Sequence, residues 1–232
     1  MVQVNNTPIV LRLHFKKVGR LQYVSHLDLV RTMHKVIVRA KLPLKYTEGF
    51  NPKPKMVFAA PLSIGTESYA EFVDIRLSER MDTDEAKRVL NENMADELQV
   101  ISAYYPETKL TDLKWLSYTI TVNTAGQSEA LARDCEEVLA SDEVIIEKKS
   151  KSGSPVSLNI SPLIKSASAE YNGEAIVIKC VLSADASAFL NPEHVIKALR
   201  SRLGLLSADD LLSESYSIVR EESYLEDMSV FR

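Results

Sequence analysis

Cysteine is almost missing from this chain of 232 residues: Cys135 and Cys180 are the two present, far apart in sequence. That excludes a disulfide framework and favours a reduced compartment, so a cytoplasmic protein is expected. The same scarcity leaves no triplet of thiolates for an iron–sulfur cluster, and neither the cysteines nor the four histidines are spaced as metal ligands. No metal site and no cofactor is therefore expected. The nucleotide-cradling loops Gly-x-x-x-x-Gly-Lys-Ser/Thr and Gly-x-Gly-x-x-Gly are absent, as are a His-Glu-x-x-His pair and a Gly-x-Ser-x-Gly nucleophile elbow. No apolar run approaches the roughly 18–20 residues of a membrane span. The opening MVQVNNTPIV lacks a basic region followed by an apolar stretch, which argues against a secretory signal.

What is there is the composition of a globular protein, 45% hydrophobic and 26% charged, with a length that allows two domains of ordinary size. The net charge of −4 hides an asymmetry. Residues 1–65 hold eleven Lys or Arg against two acids, Asp28 and Glu48, for a net +9, while residues 66–232 hold 17 basic and 30 acidic residues. Such a split points to an anionic partner for the basic part, although the acidic part could simply neutralise it within the fold.

The pattern of apolar residues reads as βαββαβ in the first half. IVLRLHF alternates, so Ile9, Leu11, Leu13 and Phe15 face a core while Arg12 and His14 point away. Ser25 is a natural N-cap, with Asp28 in the capping-box position, for a helix whose apolar stripe runs through Leu27, Val30, Met33, Ile37 and Ala40 until Pro43 closes it. KMVFAA and AEFVDIRL read as strands, DTDEAKRVLNENM as a helix capped by Asp82 or Asp84, and QVISAYY as a further strand. The polar stretch Pro106–Lys114 marks a boundary, giving domains of 1–106 and 107–232. Beyond it, strands are expected at WLSYTITVN, EVIIEKKS, GEAIVIKCVLS and YSIVREESY and helices at GQSEALARDCEEVLAS and NPEHVIKALRSRLG. KSGSP should turn before VSLNISPLI, which supplies one extra strand. The expected fold is α+β, two tandem ferredoxin-like halves.

Three features of the first half could bind an anion. Arg31, Lys35 and Arg39 recur every four residues on one helix face. In YTEGFNPKPK, Pro52 and Pro54 fix φ and bias their predecessors to extended geometry, so Lys53 and Lys55 are presented from a stiff loop, with Lys41 and Lys45 before it. Finally, neighbouring first and third strands would set Arg12 and His14 beside Phe72, Asp74 and Arg76, an open face able to stack a base and hold a phosphate. A charged helix face is usually just solvated, and Asp74 could merely pair an arginine. His14 beside Asp74 is also the one arrangement here resembling an acid–base pair. His26 reads as an unremarkable residue in the first turn of a helix, His34 as packed or interfacial and His194 as surface.

Taken as a string, Gly19–Ser68 (GRLQYVSHLDLVRTMHKVIVRAKLPLKYTEGFNPKPKMVFAAPLSIGTES) with YAEFVDIRL after it resembles the N-terminal signature of the radical-SAM-linked protein family, a bacterial domain of unknown function. NISPLIKSASAEY and NPEHVIKAL resemble later family segments. The resemblance implies an accessory protein acting beside a separately encoded radical S-adenosylmethionine protein, since no cluster ligands are present here. It transfers no catalytic residues. The expected role is therefore substrate recognition without catalysis of its own, with RNA or another phosphate-bearing molecule on the basic half. The alternatives are a metal-independent RNA-processing or RNA-modifying enzyme using His14, and a protein–protein adaptor that uses the acidic half.

Overall fold

A computed structural model of the chain describes residues 8–149, 153–208 and 213–232. It is a mixed α+β protein with four α-helices, in two units: Met1–Asp112 together with Phe231–Arg232, and Leu113–Val230. The boundary thus falls six residues later than Pro106 suggests, and the last two residues belong with the first unit rather than the second. Of the turn expected at KSGSP, residues 151–152 lie outside the described residues and Pro155 already opens a strand; residues 1–7, on which the expectation of no secretory signal falls, also lie outside them.

In the first unit, β1 (Ile9–Lys17), α1 (His26–Arg39), β2 (Met56–Phe58), β3 (Thr66–Leu77), α2 (Thr83–Asn91) and β4 (Leu98–Tyr104) follow in that order. Alternation in β1 and β3 puts Leu11, Leu13, Phe15, Val73, Ile75 and Leu77 on one face, where α1 and α2 cover them with Leu29, Met33, Val36, Ile37, Ala86 and Leu90. β1 pairs antiparallel with β4 on one side and β3 on the other, in a register that sets Arg12 opposite Asp74 and His14 opposite Phe72. β2 pairs antiparallel with Val73–Ile75 on the edge of β3 away from β1.

The helix termini follow their chemistry. The Ser25 hydroxyl accepts from the Asp28 N–H at 3.2 Å and donates to its carboxylate at 2.7 Å, while Asp82, not Asp84, caps α2 through the Glu85 N–H at 2.8 Å. At its far end α1 closes with Leu42 N–H on the Ile37 carbonyl and Lys41 N–H on the Val38 carbonyl, Lys41 taking the left-handed conformation (φ 55°) that glycine usually supplies. The apolar stripe differs from expectation at two positions, Leu27 and the half-buried Val30, which lines a groove instead of the core. Leu27 is 58% exposed, and Leu29 and Val36 take the core places beside Met33 and Ile37.

In the second unit, β5 (Trp115–Asn123), α3 (Glu129–Ala140), β8 (Ile164–Tyr171), β9 (Ile176–Ser183), α4 (Glu193–Leu203) and β10 (Ser215–Tyr224) comprise two helices and four strands that are antiparallel neighbours in the order β10-β5-β9-β8. In each unit the last strand therefore pairs with the first, the first with the third, and the third with the second. Between α3 and β8 is a separate two-stranded ladder of β6 (Ile145–Lys149) and β7 (Pro155–Asn159). VSLNISPLI is thus not one strand: it ends at Asn159, a 3-10 turn occupies Ser161–Leu163, and β8 follows where no strand was expected. Small residues hide β8, because KSASAE alternates serine and alanine and so carries little hydrophobic signal.

No helix among the described residues is long and apolar enough to cross a membrane.

Candidate phosphate-binding groove

The loop between α1 and β2 is held by its own backbone. Thr47 N–H donates to the Lys53 carbonyl at 2.8 Å, and Lys53 N–H returns a bond to the Thr47 hydroxyl at 3.0 Å. Tyr46 and Pro54 form a bridge, and Lys55 N–H donates to the Lys45 carbonyl at 3.1 Å. Gly49 turns the tip at φ 119°, with open space where a Cβ would lie. Pro54 is buried while Pro52 and Lys53 are exposed and Lys55 is half-buried, so Pro54 anchors the loop and the lysines on either side of it reach outward.

Beside this loop is a groove of about 820 Å³. One wall is a row of α1, His26, Val30 and His34, spaced four residues apart. The lining also includes Lys53, Lys55 and Arg76, together with Met56 and Phe58. None of the lining residues is acidic. The His26 ring meets Phe58 edge-on at 5.2 Å. Desolvation first, and then the charge of Lys53, hold the His34 pKa below the ordinary histidine value, so its ring is neutral at pH 7.

The strand edge adds backbone groups to this groove. Arg76 N–H bonds the Lys55 carbonyl and Ala59 N–H the Phe72 carbonyl. Antiparallel alternation then turns Val57 towards β3 and leaves the N–H and C=O of Met56 and Phe58 on the outer edge. Among the described residues β2 pairs with β3 alone.

Of the residues expected to bind an anion, the groove gathers Lys53, Lys55 and Arg76. Lys45 is exposed on the same loop but outside the groove lining. Arg31, Lys35 and Arg39 are exposed, but they follow the next row of α1, about 100° further round the helix. Arg31 is engaged by Asp28 at 3.1 Å.

The sheet face is not open, which corrects the expectation for Arg12, His14 and Phe72. Arg12 is fully buried, its guanidinium donating to both Asp74 carboxylate oxygens at 2.7 and 3.0 Å, to the Thr108 hydroxyl at 2.7 Å and to the Thr108 carbonyl at 3.0 Å. The Phe231 ring covers it, with the guanidinium carbon 4.8 Å from the ring centre, and meets Phe72 edge-on at 5.0 Å. His14 is buried, stacked on Phe72 at 4.7 Å, and its Nε2 donates to the Tyr69 carbonyl at 2.7 Å. Asp74 thus serves Arg12 and not His14. The acid–base pair does not form.

Sequence reasoning missed four residues here. His26 and His34 line the groove as one helical row, a signal available from their eight-residue spacing beside a basic row. Phe50 is fully exposed at the loop tip and Tyr46 is 43% exposed at its base. Their signal was an aromatic pair lying outside any apolar period and interleaved with lysines. Among the described residues no group of three or more His, Cys, Asp or Glu could hold a metal ion.

The model of a family described as "uncharacterized protein conserved in bacteria (DUF2344)" matches residues 11–192. No curated protein matches the chain. Among solved structures, it is similar to a chain from the "Crystal Structure of a Cbf5-Nop10-Gar1 Complex", with 11% identity and a TM-score of 0.50, covering 92% of this chain and 48% of that one. The present chain thus spans about half the length of that relative, and at this identity the likeness concerns the fold alone. A second structure, an unknown protein from Galdieria sulphuraria, shares 11% identity over 92% of this chain and 98% of that one, with a TM-score of 0.28 that carries no argument.

Proposed function

This chain belongs to that family of uncharacterized proteins conserved in bacteria, and we propose that it is a recognition module that holds a phosphate-bearing substrate, RNA foremost, in the groove between α1 and the Tyr46–Lys55 loop. One observation carries the reading: a groove with three cations and two imidazoles and no acid in its lining, beside a loop pinned so that its lysines lose little freedom on binding. Every lining residue except Arg76 comes from the Gly19–Ser68 segment, and Arg76 comes from the YAEFVDIRL that follows it. We read that segment as the signature of an accessory protein for a separately encoded radical S-adenosylmethionine protein, which would supply the chemistry. We also take both units as ferredoxin-like, on their shared strand order and the helices that follow their first and third strands.

Replacing Lys53 and Lys55 together by Glu tests the site. RNA affinity should fall at least tenfold while melting temperature barely moves, because Lys53 is exposed and Lys55 half-buried, and lysine charges in contact with solvent contribute little to stability. Unchanged RNA affinity in that variant would remove the groove from consideration. The adaptor reading would gain if pull-down from native cells recovered a radical S-adenosylmethionine protein and no nucleic acid.

A further inference from the structure

We infer that the groove takes an unpaired strand rather than a duplex, with Phe50 stacking on one of its bases; this deepens the phosphate-recognition reading and rests on it. The loop places an aromatic and its cations at fixed separations along one short segment. Tyr46 stands at the base, Phe50 at the tip, and Lys53 and Lys55 on the returning arm, where two backbone bonds and the Thr47 hydroxyl hold them. Phe50 has no packing role that would explain it: it is fully exposed, beside a glycine with open space around it. A stiff loop that leaves a phenylalanine in water keeps apolar surface available to be covered by a partner.

The partner's chemistry follows from the cations of the same loop and of the groove beside it. Lys45, Lys53, Lys55 and Arg76 favour a chain of negative charges, and Glu48 is the loop's single acid. A polyanion that also offers flat apolar faces at regular intervals is a nucleic acid whose bases are unstacked, since in a duplex the faces are covered by neighbouring bases. The Met56 and Phe58 backbone groups on the free edge of β2 add donors and acceptors for sugar or base edges beside the same groove. The sheet face used by other single-strand binders is closed here by Phe231 over Phe72 and Arg12, so the stacking surface beside the groove's cations is the loop's exposed Phe50.

The test compares three probes by fluorescence anisotropy at low salt: an oligouridine strand, an RNA duplex of the same length, and linear polyphosphate. The strand should bind more tightly than the duplex. Phe50→Ala should weaken the strand by about 5- to 150-fold, the equivalent of roughly 1–3 kcal/mol for one stacked base, and leave polyphosphate affinity unchanged. Phe50→Trp should retain strand binding. The Lys53→Glu/Lys55→Glu variant should weaken all three probes. Unaltered strand affinity in Phe50→Ala, or a preference for the duplex, would overturn the stacking inference while leaving phosphate recognition standing. If polyphosphate and RNA both fail to bind, the two readings fall together. If a polyglutamate peptide binds as tightly as the strand and loses as much with Phe50→Ala, the loop is a protein-docking device.

Discussion

The buried Arg12 is the residue on which the first unit's non-helical face depends. A guanidinium taken fully out of water needs its hydrogen bonds made, and Asp74 and Thr108 make them. Asp74→Ala should therefore cost about 3–5 kcal/mol, far more than an exposed ion pair, because it leaves a buried charge without its carboxylate. A denaturant titration checks this, and a loss below about 1 kcal/mol, the scale of a surface pair, would contradict it. The two thiols form a second residue-level case. Burial pushes Cys180 up to about 12 and Cys135 up to about 11, with Asp134 adding to the latter, so neither is a thiolate at neutral pH. Both should resist a thiol-specific disulfide reagent at pH 8 in the native protein and react once denaturant unfolds it. Rapid native labelling of either would show that its surroundings open.

At the scale of the element, α1 does two things with one periodicity. Leu29, Met33, Val36 and Ile37 bury one side, and His26, Val30 and His34 turn a neighbouring row to the groove. That placement couples pH to both stability and binding. His34 is held below its unfolded pKa, so the unfolded chain takes up the proton first. Its contribution to stability is full above about 6.5, the unfolded value, and shrinks as pH falls through that value towards the lower folded one. His194 shifts in the same direction, by desolvation first and then by Lys197 and Lys148, and adds to the trend. An anion in the groove works the other way, favouring the charged ring and so tightening as pH falls. The denaturation midpoint should drop between pH 7.5 and 5.5, less steeply in His34→Gln, while phosphate-ligand affinity rises over the same range in the wild type and less in the variant. Identical pH profiles for the two proteins would place His34 outside the site.

For the whole molecule, the measurable quantity is the response to salt. If Lys53, Lys55 and Arg76 each meet one phosphate of a single strand, log K should fall against log[salt] with a slope near −2, at about −0.7 per contact. The Lys53→Glu/Lys55→Glu variant should flatten that slope, since its remaining groove cation is Arg76. A slope near −4 or steeper would mean that Arg31, Lys35 and Arg39, on the next row of α1, also touch the ligand. The fold disperses the cations of residues 1–65: Lys53 and Lys55 join Arg76 in the groove, Arg31, Lys35 and Arg39 form a separate helix row, and Arg12 and Lys17 are buried, so the slope counts which of the exposed ones act.

Local chemistry was enough to determine much of this protein. Ser25 as a cap, the choice of Asp82 or Asp84 for the second helix, the alternation of Ile9–Phe15, the order of elements in residues 9–104 and the outward lysines of a proline-anchored loop all follow from contacts within a few residues, which a sequence displays directly. Tertiary structure alone decided the rest. Alternation could say that Arg12, His14 and Phe72 share a face, but only the return of Phe231 and the seating of Thr108, 219 and 96 positions away from Arg12, could say that the face is closed. Arg12, Arg76 and His14 were all possible partners of Asp74 in sequence, and the register with Arg12 across β1 and β3 settled which one it serves. β8 was invisible because its serines and alanines gain their strand conformation from pairing with β9, an interaction that no period within eight residues encodes. The groove itself needed α1, the loop and β3 to meet. Its histidines and cations are spread over fifty residues of chain, and long-range packing is what makes them neighbours.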